Sequence, residues 1–103
     1  MYLNEYQLKA ASFALYQNDM YPVTSLIIEA AELADLFVKP KLRGDPQPIN
    51  RDEIISEAGD VLWNLANLLK DNDIQMSEVA QYNLKKLASR AKRGVIQGKG
   101  GNR

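Results

Sequence analysis

Apolar and polar positions along the 103-residue chain recur mostly with the 3.6-residue period of an α-helix, and no useful length of it has the two-residue period of a strand. Four segments carry the helical period, approximately residues 4–18, 24–38, 50–71 and 77–92. The pattern therefore predicts an all-α fold.

Short polar signals indicate where these helices begin and end. Asn4 with Gln7, and Asn50 with Glu53, have the spacing of a capping box, in which the first residue caps the helix and the fourth reaches back to it. Pro40 and the segment "RGDPQP" that follows predict a loop, because proline removes a backbone donor and clashes with the preceding turn. We expect the second helix to end before Pro40.

The length and the 46% hydrophobic content fit one compact domain. We expect this domain over residues 1–94 and a Gly-rich basic tail over 95–103. The second helix has apolar residues on almost every side, which predicts association through helices two and three as a dimer or a dimer of dimers. Trp63 lies away from the core stripe of the third helix, and we assign it to a subunit contact in preference to base stacking.

Composition excludes several classes of chemistry. The chain has no Cys and no His, so it cannot build a Ser-His triad, a thiolate or His-ligated zinc site, or a His-containing di-iron centre. Thirteen basic and thirteen acidic side chains cancel, so no net field attracts nucleic acid or a membrane surface. Without a membrane-length apolar run or a secretory signal, we expect a cytoplasmic protein.

Two consecutive helices each carry a pair of acids three residues apart. Glu29 and Glu32 lie at the margin of the apolar arc of the second helix, and Glu57 and Asp60 lie along one edge of the core stripe of the third. Antiparallel packing would bring the pairs together, where four carboxylates cannot all remain ionised without a cation. Oxygen-only ligands suit hard cations, and Mg²⁺ is usually held by a few carboxylates together with waters and substrate phosphates. The acids therefore predict a divalent metal site and a phosphorylated substrate.

A cationic stripe follows on the fourth helix, where Asn83, Lys86 and Arg90 border the apolar face. Two cations and an amide on one line suit a polyphosphate held by the metal. Asn64 continues the polar stripe of Asp60 and is a further candidate for substrate binding. The alternatives are that the cations complement the helix dipole or pair with acids, and that Asn64 makes an ordinary interhelical hydrogen bond.

The ordered motifs resemble those of a known family. Glu29-x-x-Glu32 followed by Glu57-x-x-Asp60 on consecutive helices resembles the paired acidic motif of the MazG-like all-α nucleoside triphosphate pyrophosphohydrolases. Asn83, Lys86 and Arg90 look like that family's Asn-x-x-Lys-x-x-x-Arg segment. The resemblance covers about residues 20–94, and the tail is similar to those of short MazG-like proteins of bacteria and phages.

The resemblance implies a bundle of four or five helices assembled as a homodimer or homotetramer, in a bacterial cell or a phage-infected host. It implies hydrolysis of a (d)NTP to the monophosphate and pyrophosphate with Mg²⁺, for which Mn²⁺ can substitute. The four motif acids would hold the metal, and Glu29 or Glu32 would also orient the attacking water, with Glu32 preferred. Lys86 and Arg90 would contact phosphate. The chain has one such domain and a short inter-helix loop, so base selection does not follow from the motifs.

A non-enzymatic alternative stays open at this point. Acids at helical spacing often form a solvated face, and the chain would then be a helical oligomerisation module whose acidic face binds a basic partner. The two hypotheses differ in whether a divalent cation and a nucleotide stabilise the fold.

Overall fold

Four α-helices make up the computed structural model, which describes residues 1–44 and 48–94. The described residues contain no strand, as the sequence predicts, and the expected tail at 95–103 lies outside them. The helices are α1 (Leu3–Ala11), α2 (Met20–Leu42), α3 (Arg51–Asp71) and α4 (Met76–Arg93).

The helix contacts divide the molecule into a long α2–α3 hairpin and a second part that consists of α1 and α4. α2 packs along α3, α1 packs against α3, and α4 packs against α1. Among the described residues, α4 makes no comparable contact with α2 or α3. The α2–α3 hairpin therefore carries the predicted acids, while the predicted cations lie on a different element.

The buried core is small and lies where α1 crosses the C-terminal half of α3. The Nε1 donor of Trp63 bonds the carbonyl of Ala10 at 3.1 Å, and the ring packs against the core cluster. Trp63 therefore joins α1 to α3 beside the core, contrary to its expected place away from the core stripe, and its assignment to a subunit contact stays a prediction. The buried apolar members of the cluster are Ala10, Ala66, Leu69 and Met76.

Two polar residues of α1 cap the start of α4. The backbone N–H of Met76 donates to Gln7 Oε1 at 3.1 Å, and that of Ser77 donates to Asn4 Oδ1 at 3.0 Å. Gln7, 5% exposed, also donates through Nε2 to two carbonyls at the end of α3 and in the α3–α4 connection. The capping box expected at Asn4 was wrong, because Tyr2 occupies the N-cap position of α1 without a side-chain bond. These two amides satisfy N–H groups that a helix leaves open.

The bounds of α1 and α2 differ from expectation for local reasons. α1 ends at Ala11, and the following Ser12 donates through Oγ to a carbonyl of the last turn. α2 begins at Met20, because a helix tolerates Pro22 in its first turn, where the N–H has no partner in any case. It runs through Pro40 to Leu42, so the expected break at that proline was wrong.

The N-cap predicted at Asn50 for α3 is confirmed, whereas the return bond expected from Glu53 is absent among the described residues. Asn50 adopts an extended backbone conformation and accepts a hydrogen bond from the N–H of Asp52 through Oδ1 at 2.8 Å.

Gly94 is the C-cap residue that ends α4. It has a left-handed φ of 72°, a conformation that glycine adopts without strain.

Many apolar side chains of α2 and α4 remain uncovered in the single chain. Ile27 is 70% exposed, and Leu84 on α4 is 66% exposed. Phe37 of α2 is exposed too. No helix in the described part of the chain combines the length and the apolarity needed to cross a membrane.

Candidate functional site

The two acidic pairs meet across the α2–α3 hairpin, as their spacing predicts. One carboxylate oxygen from each of Glu29, Glu57 and Asp60 lies within 4.8 Å of the others. Glu29 and Glu57 are half-buried, and each has a buried Oε2 atom without a hydrogen-bond donor. Buried carboxylate oxygens without donors are costly in a folded protein. The cluster is therefore suited to a cation.

Burial and mutual repulsion disfavour the ionised cluster. Desolvation, followed by the charges of Glu32 and Asp60, raises the pKa of Glu29 above its ordinary value of 4.5. The same causes in the same order raise the pKa of Glu57. A divalent cation would reverse this balance, since it favours the charged form of every carboxylate around it.

Glu32 is the exposed member of the second-helix pair. Its carboxyl lies close enough to those of Glu29 and Glu57 for its charge to contribute to the raised pKa of both, yet it is not one of the three residues whose oxygens converge. It lies at the boundary between the acids and the adjoining cavity, which it helps to line. This position suits contact with solvent or substrate.

Asn64 lies one turn beyond Asp60 and is only 3% exposed. Its Nδ2 atom donates to the carbonyl of Asp60 at 2.8 Å, whereas its buried Oδ1 atom has no donor. The sequence left open that Asn64 makes an interhelical hydrogen bond. Among the described residues its side chain makes no such bond, because the bond to Asp60 stays within α3. An amide oxygen without a partner beside the acids adds one more potential oxygen ligand or acceptor to the site.

An open cavity of about 520 Å³ extends from the acids toward the end of the hairpin where α2 connects to α3. Glu32 and Glu57 form its inner end, and Lys39 of α2 and the C-cap residue Arg43 line it further out. These two cations are not among the residues predicted from the sequence to bind phosphate. A signal was present, because residues 7 and 11 positions after Glu32 share its side of the helix.

The predicted phosphate-binding residues lie on α4, away from the acids of the same chain. Lys86 Nζ is 5.6 Å from the ring centroid of Tyr82, and Asn83 lies beside them on the same small cavity. Arg90 is half-buried, and its Nε atom has no hydrogen-bond partner. The structure thus brings Glu29, Glu57 and Asp60 together with Glu32 beside them, but it does not bring the cationic stripe to these acids within one chain.

Comparison with known proteins finds a match to one protein family. Residues 20–95, which include α2, α3 and α4, match the MazG nucleotide pyrophosphohydrolase domain. The chain belongs to the MazG family. This MazG chain is 40% identical to the Gene 37 protein of Mycobacterium phage L5 over 115 aligned positions that cover both proteins completely. No solved structure matches it.

Proposed function

We propose that the protein is a Mg²⁺-dependent pyrophosphohydrolase that converts a (d)NTP to the (d)NMP and pyrophosphate. The observation that carries the proposal is the convergence of Glu29, Glu57 and Asp60 across the hairpin, with buried oxygens that lack donors. Membership of the MazG family supports the reaction class.

The donor set fits a divalent cation. Carboxylates supply every candidate ligand, with the free Oδ1 of Asn64 nearby, and oxygen donors of this kind suit Mg²⁺ or Mn²⁺. Glu29, Glu57 and Asp60 would hold the ion, and Glu32 would complete the set from its exposed side. When bound, the cation supplies the positive charge that neutralises and polarises phosphate oxygens.

The remaining chemistry belongs to the side chains. Glu32 is solvent-exposed beside the cluster, so its carboxylate is placed to orient a water molecule and to accept its proton as the water oxygen attacks phosphorus. The bond between the α- and β-phosphates breaks, and pyrophosphate leaves with the electron pair. The chain has no His or Cys, and the reaction proceeds by direct attack of water without a covalent intermediate.

The assembly we propose is a homodimer, or a homotetramer built from dimers. The apolar residues left exposed on α2 and α4 need a cover, and a second copy of the chain supplies one by symmetry. In this assembly α4 of one copy crosses the hairpin of the other, so that Lys86, Arg90 and Asn83 contact the phosphates bound at the neighbouring acids. This arrangement explains why Lys86 and Arg90 lie away from the acids of their own chain.

A nucleotide panel tests the reaction. We expect purified protein with Mg²⁺ or Mn²⁺ to release pyrophosphate, not orthophosphate, from at least one common (d)NTP, and Glu57→Gln to abolish the release. If no common (d)NTP yields pyrophosphate above the Glu57→Gln level, the enzymatic proposal fails. The non-catalytic module would then remain, although half-buried acids with donor-free oxygens are poorly suited to meeting a basic partner at the surface.

A further inference from the structure

A buried amide oxygen lies one helical turn beyond the acidic cluster and has no partner. Asn64 is 3% exposed, and its Oδ1 atom receives no hydrogen bond from the described residues. The Nδ2 atom of the same amide already donates to the carbonyl of Asp60 at 2.8 Å, which fixes the orientation of the side chain. A buried acceptor without a donor destabilises a fold. Asn64 Oδ1 therefore needs a donor that the described part of the chain does not supply.

Helix geometry places this amide on the same side of α3 as the two acids of that helix. Glu57, Asp60 and Asn64 are separated by three and four residues, which puts them within about 60° of one another around the axis. Asn64 lies about 6 Å further along the axis than Asp60. Glu57 also has a buried oxygen without a donor, as does Glu29 across the hairpin. The free oxygen of Asn64 thus continues a row of unpaired oxygens that begins within the cluster.

We propose that Asn64 Oδ1 accepts a hydrogen bond from a water molecule bound to the divalent cation. Asn64 is then a positioning residue, which acts on the cation through that water. The inference rests on the metal site of the proposed function and adds a residue to its surroundings. Mg²⁺ gives up its waters reluctantly and usually keeps several of them in a protein site. A neutral amide holds such a water without adding a negative charge to carboxylates that already repel one another.

The other donors that a bound nucleotide offers are less suited to this atom. Because Oδ1 is buried, a sugar hydroxyl that arrives from solvent does not reach it unless the surrounding helices move. Fully ionised phosphate oxygens accept hydrogen bonds and do not donate them. A structural water enclosed in the fold is the remaining candidate. Such a water would be held with or without the cation, so metal affinity separates it from a water bound to the metal.

Two substitutions of Asn64 in the full-length chain separate the role of its oxygen from that of its nitrogen. Asn64→Leu removes both atoms, and we expect it to weaken Mn²⁺ binding about 10- to 100-fold, the usual cost of losing a group that supports a metal site. Asn64→Asp keeps the acceptor but cannot donate to the carbonyl of Asp60. We expect it to bind Mn²⁺ at least as tightly as the parent.

Asn67→Leu is the matched control. Asn67 is 2% exposed and donates to the carbonyl of Trp63 in the same way that Asn64 donates to that of Asp60. It lies about 10.5 Å along the axis from Asp60, so its loss should leave Mn²⁺ affinity unchanged. Affinity would be measured by titration calorimetry with Mn²⁺ alone, and thermal melts in chelator would establish that each variant is folded.

Two results would overturn the inference. Equal losses of Mn²⁺ affinity in Asn64→Leu and Asn64→Asp would show that only the bond from Nδ2 matters, since that bond is absent from both variants. Parental affinity in Asn64→Leu would assign Oδ1 to an enclosed structural water. If Asn64→Leu does not fold, Asn64→Asp decides alone, because affinity about tenfold below that of the parent contradicts the inference and parental or tighter affinity supports it.

The outcomes also distinguish this inference from the proposed reaction. If the parent binds Mn²⁺ and Asn64→Leu loses it, but no (d)NTP yields pyrophosphate, the role of Asn64 stands and only the reaction fails. If pyrophosphate is released while Asn64→Leu binds Mn²⁺ as the parent does, the reaction stands and the inference fails. A parent chain that binds no Mn²⁺ would remove the metal site and the role of Asn64 together.

Discussion

Glu29 on α2 and Glu57 on α3 face one another across the hairpin, and each has a buried Oε2 atom without a donor. Two such oxygens destabilise a fold that offers them no positive charge. The metal-free protein should therefore be strained at this point, and the strain should disappear when a divalent cation binds.

Removing one of these charges should stabilise the metal-free protein. Glu57→Gln keeps the shape of the side chain, and we expect it to raise the melting temperature in chelator. We also expect it to reduce Mn²⁺ affinity by at least about 10- to 100-fold, because replacing even a residue that only supports a metal ligand costs that much. Glu78→Gln, on exposed α4, is the control and should change neither quantity. A lower melting temperature for Glu57→Gln in chelator would show that the carboxylate is well compensated in the fold.

The pH dependence of stability should follow from the same carboxylates. Because the folded-state pKa values of Glu29 and Glu57 are raised above 4.5, the folded chain holds protons that the unfolded chain has already lost. Their contribution to stability is complete below pH 4.5 and is lost as the pH rises through the raised pKa values. Thermal melts in chelator should thus show the advantage of Glu57→Gln over the parent increasing from pH 4.5 upward. An advantage that is the same at every pH would contradict the raised pKa values.

A mixing experiment tests whether α4 acts on the neighbouring copy. Glu57→Ala and Lys86→Ala should each be inactive as separate preparations. After co-refolding in equal amounts, half of the dimers are mixed and one of their two sites is intact, so about a quarter of parental activity should return. If the cations act within their own chain, mixing restores nothing.

The junction between α1 and α4 should be sensitive to one amide. Gln7→Ala removes the acceptor of the Met76 N–H and a donor to two carbonyls, all at a buried position. Leaving such groups unpaired should reduce the free energy of unfolding by about 1–3 kcal/mol, which for a domain of this size lowers the melting temperature by about 4–8 °C per kcal/mol. Gln81→Ala, at an exposed position of α4, should be nearly neutral. Equal melting temperatures for the two variants would contradict the capping role.

The sequence predicts the helices and the acidic cluster because both depend on local spacing. Acids three residues apart share one side of a helix, and two such pairs can meet across an antiparallel hairpin, as Glu29 does with Glu57 and Asp60. The role of Gln7 could not be predicted, since its partner lies 69 residues away and its spacing from Asn4 is also that of a local cap. The helix continues through Pro40 because a proline near the end of a helix removes only one backbone hydrogen bond, so the proline alone does not fix where α2 ends. The separation of Lys86 from the acids depends on how α4 packs, which no local pattern specifies.

A Mn²⁺ titration tests the central claim, that the hairpin acids hold a divalent cation, most directly. The parent chain, Glu29→Gln, Glu57→Gln and the control Glu5→Gln, at an exposed position of α1, would be titrated with and without an α,β-imido (d)NTP, and bound ion would be measured by electron paramagnetic resonance. We expect the parent and Glu5→Gln to bind Mn²⁺ more tightly when nucleotide is present, and the Glu29 and Glu57 variants to lose most of that affinity. Mn²⁺ binding by Glu57→Gln as tight as that of the parent would contradict the claim and leave these carboxylates without a metal-binding role.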